Sequence, residues 1–81
     1  MTFDKMRMAE VIRDSRLSFT EVQENLGLTH CQAESILYGK MKCDRRTAER
    51  LLTIFGIWNV CWAMKENWRW MHYANYARFT D

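Results

Sequence analysis

The chain has 81 residues, of which 48% are hydrophobic, and this length fits one small domain. Twelve Lys and Arg residues stand against ten Asp and Glu residues, so the net charge of +2 lacks the strong basic excess typical of nucleic-acid-binding proteins. Proline is absent, glycine occurs three times, and aromatic residues make up 14% of the chain. This composition argues against a disordered chain and favours a helical one.

The cysteines indicate a reducing compartment. Cys31, Cys43 and Cys61 contain no C-x-x-C pair, and an odd number of cysteines fits neither a disulfide framework nor a zinc ribbon. We therefore expect a cytoplasmic protein. Charged residues close to the start of the chain, and apolar runs far shorter than the roughly 20 residues that a bilayer requires, predict neither a signal peptide nor a transmembrane segment.

Apolar spacing predicts five helices, over about residues 4–16, 18–26, 30–38, 44–55 and 60–76. Each begins at a short polar side chain that suits an N-cap: Asp4, Ser18, Thr29, Asp44 and Asn59. A Glu or Gln three residues after Ser18 and Thr29 completes a capping box at each. Glycines follow the second, third and fourth helices: Gly27, Gly39 and Gly56. The expected fold is all-α, one domain over residues 1–81 without a strand.

The apolar residues of the first four predicted helices recur at helical spacing, so we expect them to face a common core. In chain order they are Met8, Val11, Ile12, Val22, Leu26, Ala33, Ile36, Leu37, Ala48, Leu51, Leu52 and Phe55.

The second and third helices meet at Gly27 and form a predicted helix-turn-helix over residues 18–39. Apolar residues stand five before this glycine and one, six and nine after it, and another glycine stands twelve after it: Val22, Leu28, Ala33, Ile36 and Gly39. Residues 17–57 thereby resemble the Cro and phage-repressor family of helix-turn-helix domains. The likeness extends into that family's fourth helix through Thr47, Ala48, Leu51 and Gly56. Within the family, Gly39-Lys40, the T-A-x-x-L motif and a nearby Trp62 look most like antitoxins of the HigA type.

The resemblance implies that the third helix lies in the major groove of double-stranded DNA. A helix about 10–12 Å across fits this groove, where each base pair shows a distinct pattern of donors and acceptors. We expect the first turns of the helix to read base edges through His30, Cys31, Gln32 and Ser35. Gln32 suits adenine, because a side-chain amide matches the N6 and N7 groups of that base.

Positive charge is concentrated directly after the third helix. Residues 40–50 hold five cationic and two acidic side chains, an excess of three positive charges, whereas residues 1–34 hold four cationic and six acidic ones. We expect the DNA backbone to be held by a hydroxyl at the start of the third helix and by four cations after it. These residues are Thr29, Lys40, Lys42, Arg45 and Arg46.

Two residues depart from the family's pattern. Gln23 stands where the family usually has Ala, and it faces Ala33, which is smaller than usual, so we expect the two changes to compensate in volume. Glu34 places a carboxylate in the middle of the reading helix. Its carboxylate either accepts from a cytosine N4 group or points away from the phosphates.

The C-terminal segment, residues 58–79, holds seven of the eleven aromatic residues. Apolar side chains on both faces of the predicted fifth helix exceed what one small core can cover, so we expect one face to pair with a second copy of the chain. The residues expected in this interface are Trp62, Trp70, Tyr73 and Tyr76.

The sequence thus predicts a transcription regulator of the phage or mobile-element type, a repressor that binds a palindromic operator as a homodimer. Repression of its own gene is implied by the resemblance alone. The alternative is a protein-interaction module, either a HigA-type antitoxin that binds a toxin or an anti-defence protein that reuses the fold. No enzyme, cofactor or membrane contact is predicted, and adjacent His30 and Cys31 cannot share a helical face as metal ligands.

Overall fold

The structure is a computed structural model that describes residues 1–66. Five helices follow one another within that range: α1 Lys5–Ser15, α2 Phe19–Leu26, α3 His30–Leu37, α4 Arg45–Phe55 and α5 Ile57–Ala63. The expected all-α, five-helix domain is therefore confirmed. The extended pairing seen within residues 1–66 is a single antiparallel bridge between Phe3 and Met64.

The predicted N-caps of the first four helices are confirmed by position. The Asp4 carboxylate accepts a hydrogen bond from the Arg7 amide at 3.0 Å. Ser18 and Thr29 each form a complete, reciprocal capping box with the residue three positions later. Asp44 occupies the N-cap position of α4, but its side chain forms no capping hydrogen bond.

Every helix contributes side chains to one continuous hydrophobic core. All the apolar residues that the helical spacing places inside are buried except Leu52, which is 39% exposed. Met8, Val22 and Leu51 are fully buried. Because burying one such side chain stabilises the fold by roughly 1.5–3 kcal/mol, this core holds the short helices together.

The fifth helix differs from the prediction. α5 begins at Ile57 and ends at Ala63, because Met64 is extended and bridges to Phe3. Asn59 lies inside the helix instead of capping it, and its side-chain amide donates to the Phe55 carbonyl at 2.8 Å. The expected uninterrupted helix over residues 60–76 is thus wrong in its described part, and residues 67–76 lie outside the described residues.

Residues 1–3 form a strap that the helical pattern did not predict. The carbonyl of Met1 accepts from the Cys43 amide at 2.7 Å, and the carbonyl of Thr2 accepts from the Lys65 amide at 3.0 Å. The side chain of Phe3 is fully buried. The N-terminal strap therefore joins the loop between α3 and α4 to the chain that follows α5.

Gly39 lies directly against the N-terminal strap. Its φ is +79°, and a Cβ atom there would overlap the carbonyl oxygen of Phe3. At the other edge of the strap, Glu66 Oε1 accepts from the amide and the hydroxyl of Thr2, at 2.8 and 2.7 Å. Partial burial by itself raises the pKa of Glu66, but these hydrogen bonds and one from its own amide bring the pKa below its usual value.

Candidate nucleic-acid interface

The helix-turn-helix is held from behind by α4. Nη1 of Arg50 donates to the carbonyl of Leu26 at 2.8 Å, which satisfies a carbonyl of the last turn of α2. Arg50 belongs to the basic stretch of residues 40–50, but its half-buried guanidinium is used inside its own domain. This arginine therefore supports the motif, and one of its donors is engaged inside the domain.

Thr29 and Gln32 hold each other at the start of α3. The Gln32 amide donates to Thr29 Oγ1 at 3.2 Å, and the Thr29 amide donates to Gln32 Oε1 at 3.1 Å. Both side chains remain exposed. A bidentate contact with adenine uses both ends of a side-chain amide, so Gln32 offers a base only its NH2 group while the capping box is closed.

His30 is held by three side chains. Its Nδ1 lies 3.3 Å from Gln23 Oε1, and its Nε2 lies 3.5 Å from Glu34 Oε2. The Phe19 ring packs against the imidazole edge-on, with 5.4 Å between centroids. The imidazole is still 65% exposed, but reading a base with either nitrogen requires an exchange of partners.

These contacts show where the two departures from the family pattern lie. Ala33 is fully buried, and Gln23 is half-buried with its side-chain oxygen directed towards His30. The Glu34 carboxylate pairs with the same imidazole. The volume compensation between Gln23 and Ala33 stays a prediction, and the contact to His30 is a polar link between α2 and α3 that size alone did not suggest.

The other two expected base readers are less restrained. Cys31 is exposed and Ser35 is half-buried, and neither side chain forms a hydrogen bond within residues 1–66. The carbonyl of Ser35 accepts from the amides of Lys40 and Met41, at 2.8 and 2.9 Å, and so holds the start of the following loop against α3.

The four cations expected to contact phosphate are all exposed, on the loop after α3 and on the first turn of α4: Lys40, Lys42, Arg45 and Arg46. Arg45 Nε lies 3.2 Å from Glu49 Oε1, and an exposed pair of this kind is weak enough to exchange for a phosphate. The nearby hydroxyl and amide of Thr47, helped by the charge of Arg46, hold the pKa of the Asp44 carboxyl below its usual value.

A groove of about 220 Å³ brings the two predicted sets of residues together. Gln32 lies on its α3 side, Lys42 on its loop side, and Thr47 on its α4 side. Leu28, Ile36, Met41 and Asp44 complete its lining. A residue expected to read bases and a residue expected to hold the backbone therefore share one edge of the molecule.

The expected pairing interface falls mostly outside the described residues. Trp70, Tyr73 and Tyr76 lie there, and Trp62 is half-buried against the core of its own domain. The guanidinium carbon of Arg7 lies 5.6 Å from the centre of the Trp62 ring, and Nη1 of Arg7 donates to the Trp62 carbonyl at 3.3 Å. The tryptophan with the largest exposure among residues 1–66 is Trp58, at 81%.

Three further observations concern metal binding, cysteine reactivity and membrane crossing within residues 1–66. No three His, Cys, Asp or Glu side chains of residues 1–66 are grouped closely enough to hold a metal ion. Burial, together with the charge of Asp44, raises the pKa of the Cys43 thiol to about 11, so this cysteine is a poor nucleophile at neutral pH. Within the same range no helix combines the length and the apolar character needed to cross a bilayer.

Sequence reasoning missed two residues that shape the site, Phe19 and Arg50. Phe19 contacts the rings of both His30 and Tyr38, the latter with 5.8 Å between centroids. Its place at the start of α2 gives no hint of this. Nothing in the sequence distinguishes Arg50 from the neighbouring exposed cations, whereas the departure of Gln23 from the family pattern was a usable signal.

Comparison with known proteins adds no relative. No family model, no curated protein and no solved structure matches the chain. The resemblance to the Cro and phage-repressor family therefore depends on the residues of this chain alone.

Proposed function

We propose that this protein is a DNA-binding transcription regulator in which α3 reads the major groove of double-stranded DNA. One observation carries the proposal: Gln32 of α3 and Lys42 of the following loop line the same groove, so one edge offers both base-edge and phosphate contacts. Lys40 lies on the same loop as Lys42, and Arg45 and Arg46 lie on the first turn of α4. All three side chains are exposed.

In this mechanism the cations bind first and set the register. Contacts with phosphates are long-ranged and independent of sequence, and four of them give log K a slope against log salt of about −3 to −4. Base recognition follows from α3. Cys31, a small apolar side chain, suits a thymine methyl group, and the NH2 group of Gln32 suits a base acceptor.

The protein acts in this proposal as a homodimer in the cytoplasm. A dimer places two α3 helices in successive major grooves, about 34 Å apart, which suits a palindromic operator. An operator that overlaps a promoter makes the bound dimer a repressor, and its own promoter is the first candidate.

The test is a binding selection from random DNA duplexes, followed by titration of the selected site and of random DNA. Gln32→Ala is expected to lose about 1–3 kcal/mol on the selected site and little on random DNA. Arg46→Ala is expected to weaken both and to reduce the salt slope by about 1. Arg13→Ala, an exposed cation of α1, is the matched control and should leave both unchanged.

Because Gln32→Ala also opens the capping box, a second variant separates the two roles. Gln32→Glu keeps an oxygen that can accept from the Thr29 amide but removes the NH2 group. It should retain the stability of the domain, and because its added carboxylate repels phosphates of any sequence, base reading is measured by the loss on the selected site beyond the loss on random DNA. Failure to enrich any sequence, or an equal loss on all sequences for both Gln32 variants, contradicts the proposal.

A protein-interaction module is the second candidate, and the exposed apolar corner between α4 and α5 favours it. Trp58 and Ile57 are 81% and 61% exposed there, as expected for anchors of a protein interface. Such a module is an antitoxin of the HigA type or an anti-defence protein. It predicts a stable complex with the product of an adjacent gene, formed without DNA, together with no enrichment in the selection.

A further inference from the structure

We propose that Gln32 reads guanine and not adenine, because the capping box at the start of α3 leaves its side chain with hydrogen-bond donors alone. This choice of base rests on the proposed function, since it names what α3 meets in the major groove. The closed capping box is a property of the free protein and is measured without DNA, so the two ideas can fail separately.

The orientation of the Gln32 side-chain amide follows from the group that it meets. The Thr29 backbone amide can only donate, so the Gln32 atom that lies 3.1 Å from it is the oxygen, Oε1. In return the Gln32 backbone amide donates to Thr29 Oγ1 at 3.2 Å. The NH2 group of the exposed Gln32 side chain forms no hydrogen bond within residues 1–66. Through this residue α3 therefore offers a base two N–H donors and no acceptor.

The four bases differ in how well they suit these donors. In the major groove guanine shows two neighbouring acceptors, O6 and N7, whereas thymine shows the single acceptor O4. Adenine combines an N7 acceptor with an N6 amino donor, and cytosine shows the N4 donor. An NH2 group can donate to both guanine acceptors, but against adenine it leaves the N6 group facing another donor. The expected order of preference is guanine, then thymine, with adenine and cytosine last.

A bidentate contact with adenine requires the capping box to open. Such a contact uses the oxygen of the side-chain amide, which must then leave the Thr29 amide. The Thr29 amide forms no other hydrogen bond within residues 1–66, and DNA lying over the start of α3 shields it from water. Leaving a shielded donor unsatisfied costs about as much as the adenine contact gains. Guanine is bound with the box closed, so its contacts carry no such cost.

The groove beside Gln32 adds chemistry that suits the same base pair. Lys42 lines the loop side of this groove, and a lysine ammonium is another group that binds the guanine acceptors. Lys42 is exposed and forms no ion pair within residues 1–66. The Asp44 carboxylate also lines the groove and suits the cytosine N4 group. Both side chains therefore have a partner on a G·C pair.

The closed capping box is tested on the full chain without DNA. NMR measures how fast the Thr29 amide hydrogen exchanges with water in the wild type and in Gln32→Ala. We expect exchange at least about twofold slower in the wild type, because the hydrogen bond to Oε1 protects this amide. The Ser18 amide, which donates to Glu21 in the other capping box, is the control and should exchange alike in both proteins. Equal exchange of the Thr29 amide in the two proteins overturns the proposal, whatever the DNA result.

The base is identified by measuring the affinity for every single-base substitution of the selected site. The position at which Gln32→Ala loses discrimination is the one that Gln32 reads. We expect guanine there in the wild type, favoured over adenine at least about fivefold. Gln32→Glu keeps an oxygen for the Thr29 amide and replaces the NH2 group by a second acceptor, so its preference should move from guanine to cytosine. Comparison of bases at one position cancels the general repulsion between the added carboxylate and phosphates.

Two variants of Thr29 test whether the capping box sets the preference. Thr29→Ala removes the hydroxyl but keeps the backbone N–H, whereas Thr29→Pro removes both. Proline holds φ at about −65°, which suits the φ of −70° at this residue. Thr29→Pro frees the Gln32 oxygen, so we expect the preference for guanine over adenine to be lost, while Thr29→Ala should retain it. If the proline variant does not fold, Gln32→Glu, which keeps the box closed, decides the matter.

The outcomes separate the choice of base from the proposed function. Adenine at the position that Gln32 reads, a guanine preference that survives in folded Thr29→Pro, or a Gln32→Glu variant that still prefers guanine overturns the choice of base and leaves DNA reading by α3 intact. Absence of any selected sequence overturns both, even where the Thr29 amide is protected.

Discussion

The helix-turn-helix and the α4–α5 corner both expose side chains, but the helix-turn-helix exposes polar ones and the corner exposes apolar ones. At the helix-turn-helix two of the exposed side chains expected to read bases are polar and already bonded to their own domain, with Gln32 in a capping box and His30 between Gln23 and Glu34. At the corner the exposed side chain of Trp58 has no such contact within residues 1–66. Exposure alone therefore does not measure availability: the first surface must exchange bonds to bind, whereas the second needs only to be covered.

Gly39 lies at the end of the helix-turn-helix and Gly56 lies at the α4–α5 corner. Replacing these glycines gives the largest expected effect on stability. Gly39→Ala forces a Cβ into the Phe3 carbonyl at a φ of +79°, and we expect it to lower the free energy of unfolding by about 3 kcal/mol or more. Gly56→Ala has a similar φ of +85° but meets no atom within 4 Å, so we expect only the conformational cost of about 1–3 kcal/mol. Urea denaturation followed by circular dichroism measures both. Equal losses would show that the N-terminal strap does not press on Gly39.

A second pair of variants compares two residues of α4. Arg50 donates to the helix-turn-helix, whereas Leu52 is partly exposed. Arg50→Met keeps the apolar stem but removes the donor to the Leu26 carbonyl, and we expect a loss of about 2 kcal/mol in unfolding free energy. Leu52→Gln, at a partly exposed position, should change stability by less than about 0.5 kcal/mol. A fall in the DNA salt slope for Arg50→Met, as large as that for Arg46→Ala, would instead make Arg50 a phosphate contact.

The smallest expected effect concerns two cysteines that differ in environment. Alkylation at pH 8, mapped by peptide mass, should modify exposed Cys31 well before buried Cys43. The raised pKa of Cys43 also links its burial to stability: the contribution is complete below the ordinary pKa of 9.0 and is lost as the pH rises towards about 11. Cys43→Ser should remove this alkaline loss. Equal alkylation rates for the two thiols would mean that the α3–α4 loop opens readily.

The features predicted correctly from sequence are local ones. Asp4, Ser18 and Thr29 cap helices within three residues of themselves, and Gly27 ends α2 with a left-handed conformation. Such signals act between neighbours, so the sequence displays both partners side by side. The same reasoning placed Gln32 in a capping box and among the base readers, two roles that compete for one amide.

The features that sequence reasoning missed join residues that are far apart. α5 stops at Ala63 because Met64 pairs with Phe3, and no pattern within residues 57–66 shows this. The Arg50 contact spans 24 positions, and the link from His30 to Gln23 spans seven. A helical period predicts which face of a helix is buried, but it does not say which distant group will meet an individual polar side chain.

The N-terminal strap also bears on the order in which the domain assembles. Thr2 and Glu66 lie 64 positions apart, so their contact closes nearly the whole described chain, and a closure of this length carries the largest entropic cost. The helix-turn-helix depends on near neighbours and is free to form early. Phe3, by contrast, is fully buried and forms a backbone bridge with Met64, near the end of the described chain. A chain that is still being synthesised is therefore expected to form α2 and α3 before the Lys40–Cys43 loop is fixed, and the proposed DNA-binding edge is complete only when the whole domain is.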